Sequence, residues 1–183
     1  MPKSLMIDLE TLSTRADGVI LSIGAVKFDL ERGKIDDSGF YTVVSFEDQL
    51  DRHISESTLT WWMNQGDSAK RVFNDSKTSF RDALLQFSDF VDDPNIEVWS
   101  CGADFDIPMM NHAFMTHNIE IPWKFYNSRC FRTYKKLPGA PGCSSPPKVA
   151  HHALHDAISQ AQHACDIYAA LFGSKPSVLS RKK

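Results

Sequence analysis

VILSIGAVKF, residues 19–28, is apolar enough for a strand in the middle of a β-sheet. Two other segments have strand composition, SLMID at residues 4–8 and FYTVVSF at residues 40–46. ERGK at residues 31–34 is typical of a turn between the second and third of these strands. Three strands joined by short links predict an antiparallel meander.

Helical patterns and two further strands follow in the rest of the chain. Residues 78–91 carry apolar side chains at helical spacing, and Thr78 or Ser79 can cap the start of that helix. Further helices are predicted at residues 57–63, 106–117 and 152–172, and further strands at residues 96–100 and 126–131. This order predicts an α/β domain with a mixed sheet and helices packed on it.

Length and composition indicate the class of protein. The chain has 183 residues, which predicts one domain over residues 1–173 and a basic, mobile tail at residues 174–183. Its 42% hydrophobic and 23% charged residues are average for soluble globular proteins, so neither a fibre nor a disordered chain is indicated. No apolar run reaches the roughly 18 residues of a membrane span, and no signal-peptide core precedes Asp8. We therefore expect a cytoplasmic protein that contacts no membrane.

Charge and cysteine usage argue against two kinds of site. The formal net charge is −3, which argues against holding nucleic acid by bulk electrostatics. If the protein handles a polyanion, bound cations must offset its carboxylates, or the contact is limited to a short terminus. The four cysteines form no Cys-x-x-Cys pair, so a zinc ribbon or a thioredoxin-type site is not indicated.

An Asp-x-Glu pair, Asp8 and Glu10, lies at the end of the first predicted strand. Residues i and i+2 of a strand point to the same face, so the two carboxylates lie together. Paired carboxylates raise each other's pKa unless a cation lies between them, and Mg²⁺ or Mn²⁺ prefers such oxygen ligands. The alternative is an Asp and a Glu that simply leave a strand at the protein surface.

Asp106 follows the fourth predicted strand and opens a helix, at the end of an α/β sheet where ligands collect. Asp104 or Asp106 can instead serve only as the cap of that helix. If Asp104 is the cap, Asp106 is free to face a site, and we therefore take Asp106 as the candidate ligand.

Asp156 and His151 lie at the start of the last predicted helix. Asp156 lies near the predicted inward face of this helix, although a carboxylate in a first turn also stabilises the helix dipole. That face is predicted from Ile158, Ala161, Cys165, Tyr168 and Phe172. His151 follows a Pro- and Gly-rich loop at residues 137–150, and a histidine there suits a general base that must reach a water. We also expect this loop to close over the site.

The histidines of this region also allow a zinc hypothesis. His151 and His155 are four residues apart, as in helix-borne zinc ligands. No glutamate lies between them, and His151 is expected before the helix rather than in it. The nearby carboxylates favour a harder ion than zinc.

Four large apolar side chains are candidates for substrate contact or for packing. Trp61 and Trp62 are adjacent and cannot share one helix face, so we expect one in the core, while the other can stack on a base. Leu12 and Phe105 flank the acidic residues. Each can wedge against a terminal base or fill the core.

Taken together, the motifs resemble those of the DnaQ-like DEDDh 3′–5′ exonucleases of the ribonuclease H-like superfamily. DLE at residues 8–10, FD at 105–106 and HHALHDA at 151–157 match the three motifs of that family in order. LSIGAV at residues 21–26 is similar to its second strand, and residues 58–65 are similar to a small phage and bacterial subgroup with exoribonuclease-like members. The resemblance implies a ribonuclease H-like α/β fold with a five-stranded mixed sheet and helices on both faces.

The same resemblance implies roles for the site residues. Asp8, Glu10 and Asp156 would hold one Mg²⁺ or Mn²⁺ ion, and Asp8 would also bridge to a second ion that Asp106 supports. His151 would remove a proton from the attacking water. The implied activity is release of nucleoside 5′-monophosphates from the 3′ end of single-stranded RNA or DNA, often by a homodimer. The alternative is a non-catalytic nucleic-acid-binding module that retains the fold.

Overall fold

The computed structural model describes residues 4–173 of the chain. The tail predicted at residues 174–183 lies outside the described residues. Within residues 4–173, no helix combines the length and the apolar character that crossing a membrane requires.

Three strands come first along the described residues, three α-helices follow, and two short strands then lie among the remaining helices. The strands are β1 (Ser4–Thr11), β2 (Ile20–Asp29), β3 (Lys34–Val43), β4 (Glu97–Ser100) and β5 (Ser128–Cys130). The α-helices are α1 (Glu56–Met63), α2 (Asp67–Lys70), α3 (Phe80–Val91), α4 (Asp106–Thr116), α5 (Phe131–Tyr134) and α6 (Ala153–Phe172). Short 3-10 helices cover Glu47–Gln49, Arg71–Phe73 and Phe125–Asn127.

The five strands form one mixed sheet in the order β3-β2-β1-β4-β5. β1 pairs antiparallel with β2, and β2 with β3, so the predicted meander is confirmed. β4 lies parallel to β1, and β5 parallel to β4, with Ser100 opposite Cys130 at the carboxyl ends. The carboxyl ends of β1, β4 and β5 therefore meet at one end of the sheet, where α/β proteins commonly bind ligands.

Helices cover both faces of the sheet, as the resemblance implied. On one face, Ile7 and Leu9 of β1 pack in a core with α3 and α4. On the other face, Met6 packs in a second core with α5 and α6. Because side chains alternate along a strand, Asp8 and Glu10 share the α6 face with Met6.

The helix predicted over residues 78–91 is confirmed as α3. Its N-cap is Ser79, whose hydroxyl accepts a hydrogen bond from the amide of Asp82 at 3.1 Å. Its predicted apolar face is buried, and burying one such side chain stabilises a fold by about 1.5–3 kcal/mol. The fully buried members are Phe80, Leu84, Phe87 and Val91.

Two predicted strand boundaries are wrong. β3 begins six residues earlier than predicted and ends earlier, because its pairing with β2 extends to Lys34 opposite Asp29. The strand predicted at residues 126–131 is reduced to three residues, since a 3-10 helix precedes it and α5 begins at Phe131.

The inward face of α6 also differs from the predicted stripe. Ile158 and Phe172 are 37% and 54% exposed. Small residues on the inner side let the helix lie close to the sheet, so larger apolar residues point outwards. The buried apolar residues of α6 are Ala153, Ala157, Ala161, Ala164, Cys165 and Ile167.

At Gly24 of β2, the first turn of α6 touches the backbone of the sheet. A Cβ atom at this position would lie 2.1 Å from the carbonyl carbon of Ala153 and 2.2 Å from the amide of Leu154. We expect Gly24→Ala to lower the free energy of unfolding by about 1–3 kcal/mol, because the backbone of α6 must move. The movement would also displace Asp156, which lies in that turn. Urea denaturation measures the loss, and Gly66→Ala is the control because nothing lies within 4 Å of its Cβ position. Equal stability of the two variants would contradict this packing.

Candidate active site

Three carboxylates meet where the end of β1 lies against the first turn of α6. Oxygen atoms of Asp8, Glu10 and Asp156 lie within 4.8 Å of one another. Glu10 is 7% exposed, and the other two residues are half-buried. The structure thus brings together three of the predicted ligands from the two ends of the chain.

Asp106 lies beside these three carboxylates and is 2% exposed. The amide of Leu9 donates a hydrogen bond to its Oδ1 at 3.1 Å, and the nearby side chain of Ser100 lowers its pKa against the effect of burial. The charge of Asp106 raises the pKa of both Asp8 and Glu10, so the four carboxylates act as one electrostatic group.

Asp104, the competitor of Asp106 in the sequence, lies outside the site. Its carboxylate is 84% exposed and lies 4.0 Å from the guanidinium of Arg132. The N-cap residue of α4 is Phe105, and no side chain caps this helix. Of the two aspartates that the sequence allowed as caps of α4, neither caps it, and the exposure of Asp104 leaves Asp106 as the aspartate that faces the cluster.

Burial raises the pKa of all four carboxyl groups, and repulsion from neighbouring carboxylates raises the pKa of Asp8 and Glu10 further. Burial is the larger cause for Glu10, repulsion from Asp156 and Asp106 adds to it, and the pKa rises from 4.5 to about 8. Burial raises the pKa of Asp106 from 3.8 to about 7, against the hydrogen bonds that it accepts. The pKa of Asp8 is raised well above its usual range, first by burial and then by the other three carboxylates. Burial also raises the pKa of Asp156, against a hydrogen bond from the amide of His152.

The carboxylate cluster has the donor set of a divalent metal site. Within residues 4–173, none of the four carboxylates forms an ion pair with a lysine, arginine or histidine. Buried acids without a neighbouring base are unstable as anions unless a cation binds between them. Donors that are all oxygen suit Mg²⁺ or Mn²⁺ better than zinc.

Gln160 is a site residue that the sequence reasoning missed. Its side-chain Nε2 donates a hydrogen bond to Asp8 Oδ1 at 2.7 Å. Gln160 lies four residues after Asp156 on α6, and this spacing places both side chains on the same face of the helix. That spacing was the available signal, and the bond orients the Asp8 carboxylate within the cluster.

His151 lies directly before His152, the N-cap residue of α6. Its φ is +59°, in the left-handed region that residues with a side chain rarely adopt. Its ring packs edge-on against Trp61 and Trp62, with centroid distances of 4.8 Å and 6.4 Å. Burial raises the pKa of Asp156, and the nearby side chain of His151 opposes this rise, which places the predicted base close to the cluster.

The two neighbouring histidines form a separate aromatic stack. The ring of His152 lies 4.2 Å from that of Tyr41 and 4.1 Å from that of His155. Burial, with the charge of His155 as a second cause, lowers the pKa of His152. Throughout residues 4–173, no group of three or more possible metal ligands includes a histidine. The zinc hypothesis built on His151 and His155 therefore gains no support.

An open groove of about 340 Å³ lies beside Glu10, between the end of β1, α1 and the start of α4. Trp61, which is 42% exposed, and the half-buried Phe105 line this groove. Trp62 is 2% exposed, and its indole donates a hydrogen bond to the carbonyl oxygen of Thr11 at 2.8 Å. The tryptophan that can stack on a base is therefore Trp61, and Trp62 belongs to the core.

Leu12 belongs to the core as well, which corrects its prediction as a substrate-binding residue. It is 4% exposed and packs in a third apolar cluster with Val19, Leu21 and Trp62. Of the two roles that the sequence allowed for Leu12, substrate contact and core packing, the structure shows core packing.

Four uncharged polar residues that line the groove beside Glu10 were not predicted: Thr11, Thr14, Ser57 and Thr58.

The loop at residues 137–150 lies along α6. The hydroxyl of Ser159 donates to the carbonyl oxygen of Ser145 at 2.7 Å, and the ring of His163 hydrogen-bonds the carbonyl oxygen of Pro141 at 2.9 Å. These bonds anchor the middle of the loop and leave its last residues beside His151. Closure of the loop over a substrate stays a prediction.

Comparisons with known proteins connect this geometry to nucleases. Residues 3–168 match the family model described as the 3′–5′ exoribonuclease Rv2179c-like domain. An exodeoxyribonuclease of Enterobacteria phage T4 is 23% identical over an alignment 188 residues long, and the alignment covers 82% of each chain.

Solved structures share the fold. E. coli exonuclease I in complex with a dA16 oligonucleotide aligns over 93% of this chain with a TM-score of 0.67 and 11% identity. This chain spans 42% of the length of that exonuclease. S. pombe Pop2p in its Mg²⁺- and Mn²⁺-bound form aligns over 96% of this chain and 87% of its own, with a TM-score of 0.66 and 14% identity. The ribonuclease H-like fold that the motifs implied is thereby confirmed. The chain belongs to the 3′–5′ exoribonuclease Rv2179c-like domain family.

Proposed function

We propose that the chain is a divalent-metal-dependent 3′–5′ exonuclease that releases nucleoside 5′-monophosphates from single-stranded nucleic acid. The observation that carries this proposal is the cluster of Asp8, Glu10 and Asp156 with buried Asp106 beside it. The adjoining open groove, with the exposed ring of Trp61, suits an unpaired terminal base, because aromatic rings bind single strands by stacking.

Two Mg²⁺ or Mn²⁺ ions are the proposed cofactors. Asp8, Glu10 and Asp156 would hold one, and Asp8 with Asp106 the other, since these oxygens are the hard donors of the cluster. Bound in this way, the ions would neutralise charge on the phosphate and lower the pKa of the attacking water. Gln160 would keep the Asp8 carboxylate oriented through its 2.7 Å hydrogen bond.

The side chains of the protein would bind the strand and move the proton. His151 accepts a proton from a water whose oxygen attacks the phosphorus of the last phosphodiester. The bond between that phosphorus and the 3′ oxygen of the preceding nucleotide breaks, and the 3′ oxygen takes a proton from solvent. Because the ring of His151 rests on Trp61, a base in the groove would contact the same residue that supports the general base.

RNA and DNA both belong to the proposed substrate class. The matched family is described by exoribonuclease activity, whereas the phage relative is named an exodeoxyribonuclease. We also place the activity in the cytoplasm, because all four cysteines are free thiols, as is usual in a reducing compartment. The homodimer implied by the motif resemblance is part of the same proposal.

We expect His151→Gln to lower kcat by about 10²- to 10⁴-fold, the usual contribution of a general base, with little change in KM. His155→Gln is the control, because His155 lies four residues later on α6 and stacks on His152 instead. Steady-state kinetics on a labelled oligonucleotide measures both variants. A larger loss of kcat in His152→Gln than in His151→Gln would identify His152 as the general base and contradict our proposal.

The proposed reaction is tested by its products. Matched RNA and single-stranded DNA are incubated with the protein in Mg²⁺ or Mn²⁺, and the products are separated by anion-exchange chromatography. We expect nucleoside 5′-monophosphates as the product. Internal fragments would contradict exonuclease action, and binding without shortening in any divalent ion would instead support the non-catalytic binding module.

A further inference from the structure

A long segment of the chain contains no acidic residue. Residues 121–155 include six lysines and arginines but neither Asp nor Glu. Because the whole chain has a formal charge of −3, the remaining residues carry −9. The segment therefore concentrates positive charge in an otherwise acidic protein, and such a concentration attracts polyanions.

This segment forms one edge of the sheet and borders the active site. β5 ends the strand order, so its outer side pairs with no other strand of the described residues. The carboxyl end of β5, at Cys130, lies opposite Ser100 at the carboxyl end of β4, and the turn after Ser100 leads to Asp106 at the start of α4. The segment later returns to the site through the loop that ends at His151.

Two strongly exposed aromatic side chains directly precede β5. Phe125 is 87% exposed and Tyr126 is 62% exposed, and their ring centroids lie 5.2 Å apart. Exposed rings of this kind offer stacking faces to unpaired bases, and stacking is tolerant of sequence. These rings lie at the end of β5 that is away from the carboxylate cluster.

Lysines that no carboxylate of the described residues neutralises lie before and after these rings in the chain. Lys124, Lys135 and Lys136 are exposed, and within residues 4–173 none of them forms an ion pair with a carboxylate. The ammonium of Lys135 donates a hydrogen bond to Cys101 Sγ at 3.7 Å and lies 5.5 Å from the ring centroid of Phe131. Exposed ammonium groups that no carboxylate neutralises are available to phosphates. Rings flanked by such groups combine the two features of a single-strand binding surface.

Arg132 links this edge to the active site. Its guanidinium donates a hydrogen bond to the carbonyl oxygen of Cys101 at 2.7 Å, just beyond the end of β4. It also lies 4.0 Å from the exposed carboxylate of Asp104. Arg132 therefore holds the turn between β4 and α4, the helix that Asp106 begins, and a phosphate bound to Arg132 would lie next to that turn.

We propose that single-stranded nucleic acid upstream of the bound 3′ end runs along an edge surface made of Lys124, Phe125, Tyr126, Arg132, Lys135 and Lys136. This inference rests on the proposed exonuclease function. The 3-10 helix and β5, of three residues each, extend the surface over about 16 Å between Phe125 and Arg132. A stacked strand advances about 3.4 Å per nucleotide, so about five nucleotides cover this length.

A second copy of the chain is the main alternative occupant of the exposed rings. In a two-fold dimer the same surface faces itself, so the lysines of one edge surface would lie opposite those of the other. Like charges across an interface destabilise it. The charge of the edge surface therefore favours a polyanion.

The first test removes the rings. The aromatic variant carries Phe125→Ala and Tyr126→Ala, and its control carries Phe172→Ala, an aromatic side chain that is 54% exposed on α6. We expect the aromatic variant to raise KM for a 5′-labelled A10 RNA by at least about tenfold, because two bases lose their stacking partners. KM for a dinucleotide, which cannot reach the rings from the active site, and the control variant should stay near the wild-type values.

The second test removes charge. The lysine variant carries Lys124→Ala and Lys136→Ala, and its control is Lys34→Ala in β3 at the opposite edge of the sheet. Binding of the decamer is measured by fluorescence anisotropy in Ca²⁺ at several salt concentrations, with its integrity checked on a gel. We expect the slope of log Kd against log salt to fall by about 1.4, or about 0.7 per lost phosphate contact. Lys34→Ala should leave the slope unchanged.

The outcomes separate the edge surface from the exonuclease proposal. If the wild type never shortens the decamer but the aromatic variant loses its binding, the edge surface stands and the exonuclease function fails. If the decamer is shortened and both variants keep wild-type KM and Kd, the edge surface is wrong. A wild-type dimer that the aromatic variant converts to monomers, with decamer binding unchanged, would assign the rings to a second copy and also overturn the proposal.

Discussion

We expect Asp8→Asn to lower the rate of nucleotide release by at least about 1000-fold, which corresponds to roughly 4 kcal/mol of transition-state stabilisation. Asp8 belongs to the carboxylate cluster, since its oxygen lies within 4.8 Å of oxygens of Glu10 and Asp156. Burial raises its pKa, and the charges of Asp106, Glu10 and Asp156 raise it further. An asparagine at this position has nearly the same size and can still form hydrogen bonds, but it lacks the negative charge that would hold both ions. Release of mononucleotides from a 5′-labelled RNA measures the loss.

The control for this variant is Asp104→Asn. Asp104 follows the same strand end as Asp106, but its carboxylate is 84% exposed and lies outside the cluster. We expect its rate to stay near that of the wild type. In EDTA, Asp8→Asn should raise the free energy of unfolding, because one buried like charge is removed. A variant that is both inactive and less stable in EDTA would point to misfolding instead of a lost metal ligand.

The second large effect is a fall in the stability of the metal-free protein as pH rises. The pKa of Glu10 is 4.5 ordinarily and about 8 in the fold. A group whose pKa is raised by folding stabilises the fold fully below its unfolded pKa, and this contribution is lost as pH rises through the folded pKa. Glu10 therefore contributes stability at pH 4.5 that is lost by about pH 8. The raised pKa of Asp106, to about 7, acts in the same direction.

Urea denaturation in EDTA at pH 6.5 and pH 8 tests this effect. The interval begins at the ordinary pKa of His152, 6.5, and the fold lowers the pKa of that residue, so His152 would raise stability slightly as pH rises and oppose the expected fall. We expect the free energy of unfolding to fall over this interval by about 1.5 kcal/mol from Glu10 alone. Saturating Mg²⁺ should reduce the fall, because a bound cation favours the ionised carboxylates. Glu10→Gln should remove the part of this fall in the free energy of unfolding that Glu10 causes. A metal-free protein that is equally stable at both pH values, or more stable at pH 8, would contradict the clustering of the four acids.

The parts of the site that depend on local periodicity could be predicted from the sequence. Strand alternation places Asp8 and Glu10 on one face, and the structure shows that face against α6. Helical spacing identified the buried face of α3. Asp156 could be assigned to the first turn of the last helix, although the stripe chosen to orient that helix included the exposed Ile158 and Phe172.

The parts that depend on tertiary packing could not be predicted. Leu12 and Trp61 have similar apolar character, yet only the packing of the third cluster shows that Leu12 is buried and Trp61 is open to the groove. The contact of Gly24 with Ala153 fixes the height of α6 above the sheet, and it joins residues far apart in sequence. The same contact allows Gln160 to reach Asp8. The spacing of Gln160 from Asp156 indicated a shared helix face, but the hydrogen bond to Asp8 also depends on how α6 packs on the sheet.

The central claim is that the carboxylate cluster, loaded with divalent ions, hydrolyses the 3′ end of a single strand. The decisive measurement is the length of a 5′-labelled RNA decamer after incubation with the wild-type protein in Mg²⁺ and, separately, in EDTA. We predict a ladder of products that shortens one nucleotide at a time in Mg²⁺, and a full-length decamer in EDTA. Equal shortening in EDTA, or an intact decamer in both Mg²⁺ and Mn²⁺, would contradict the claim.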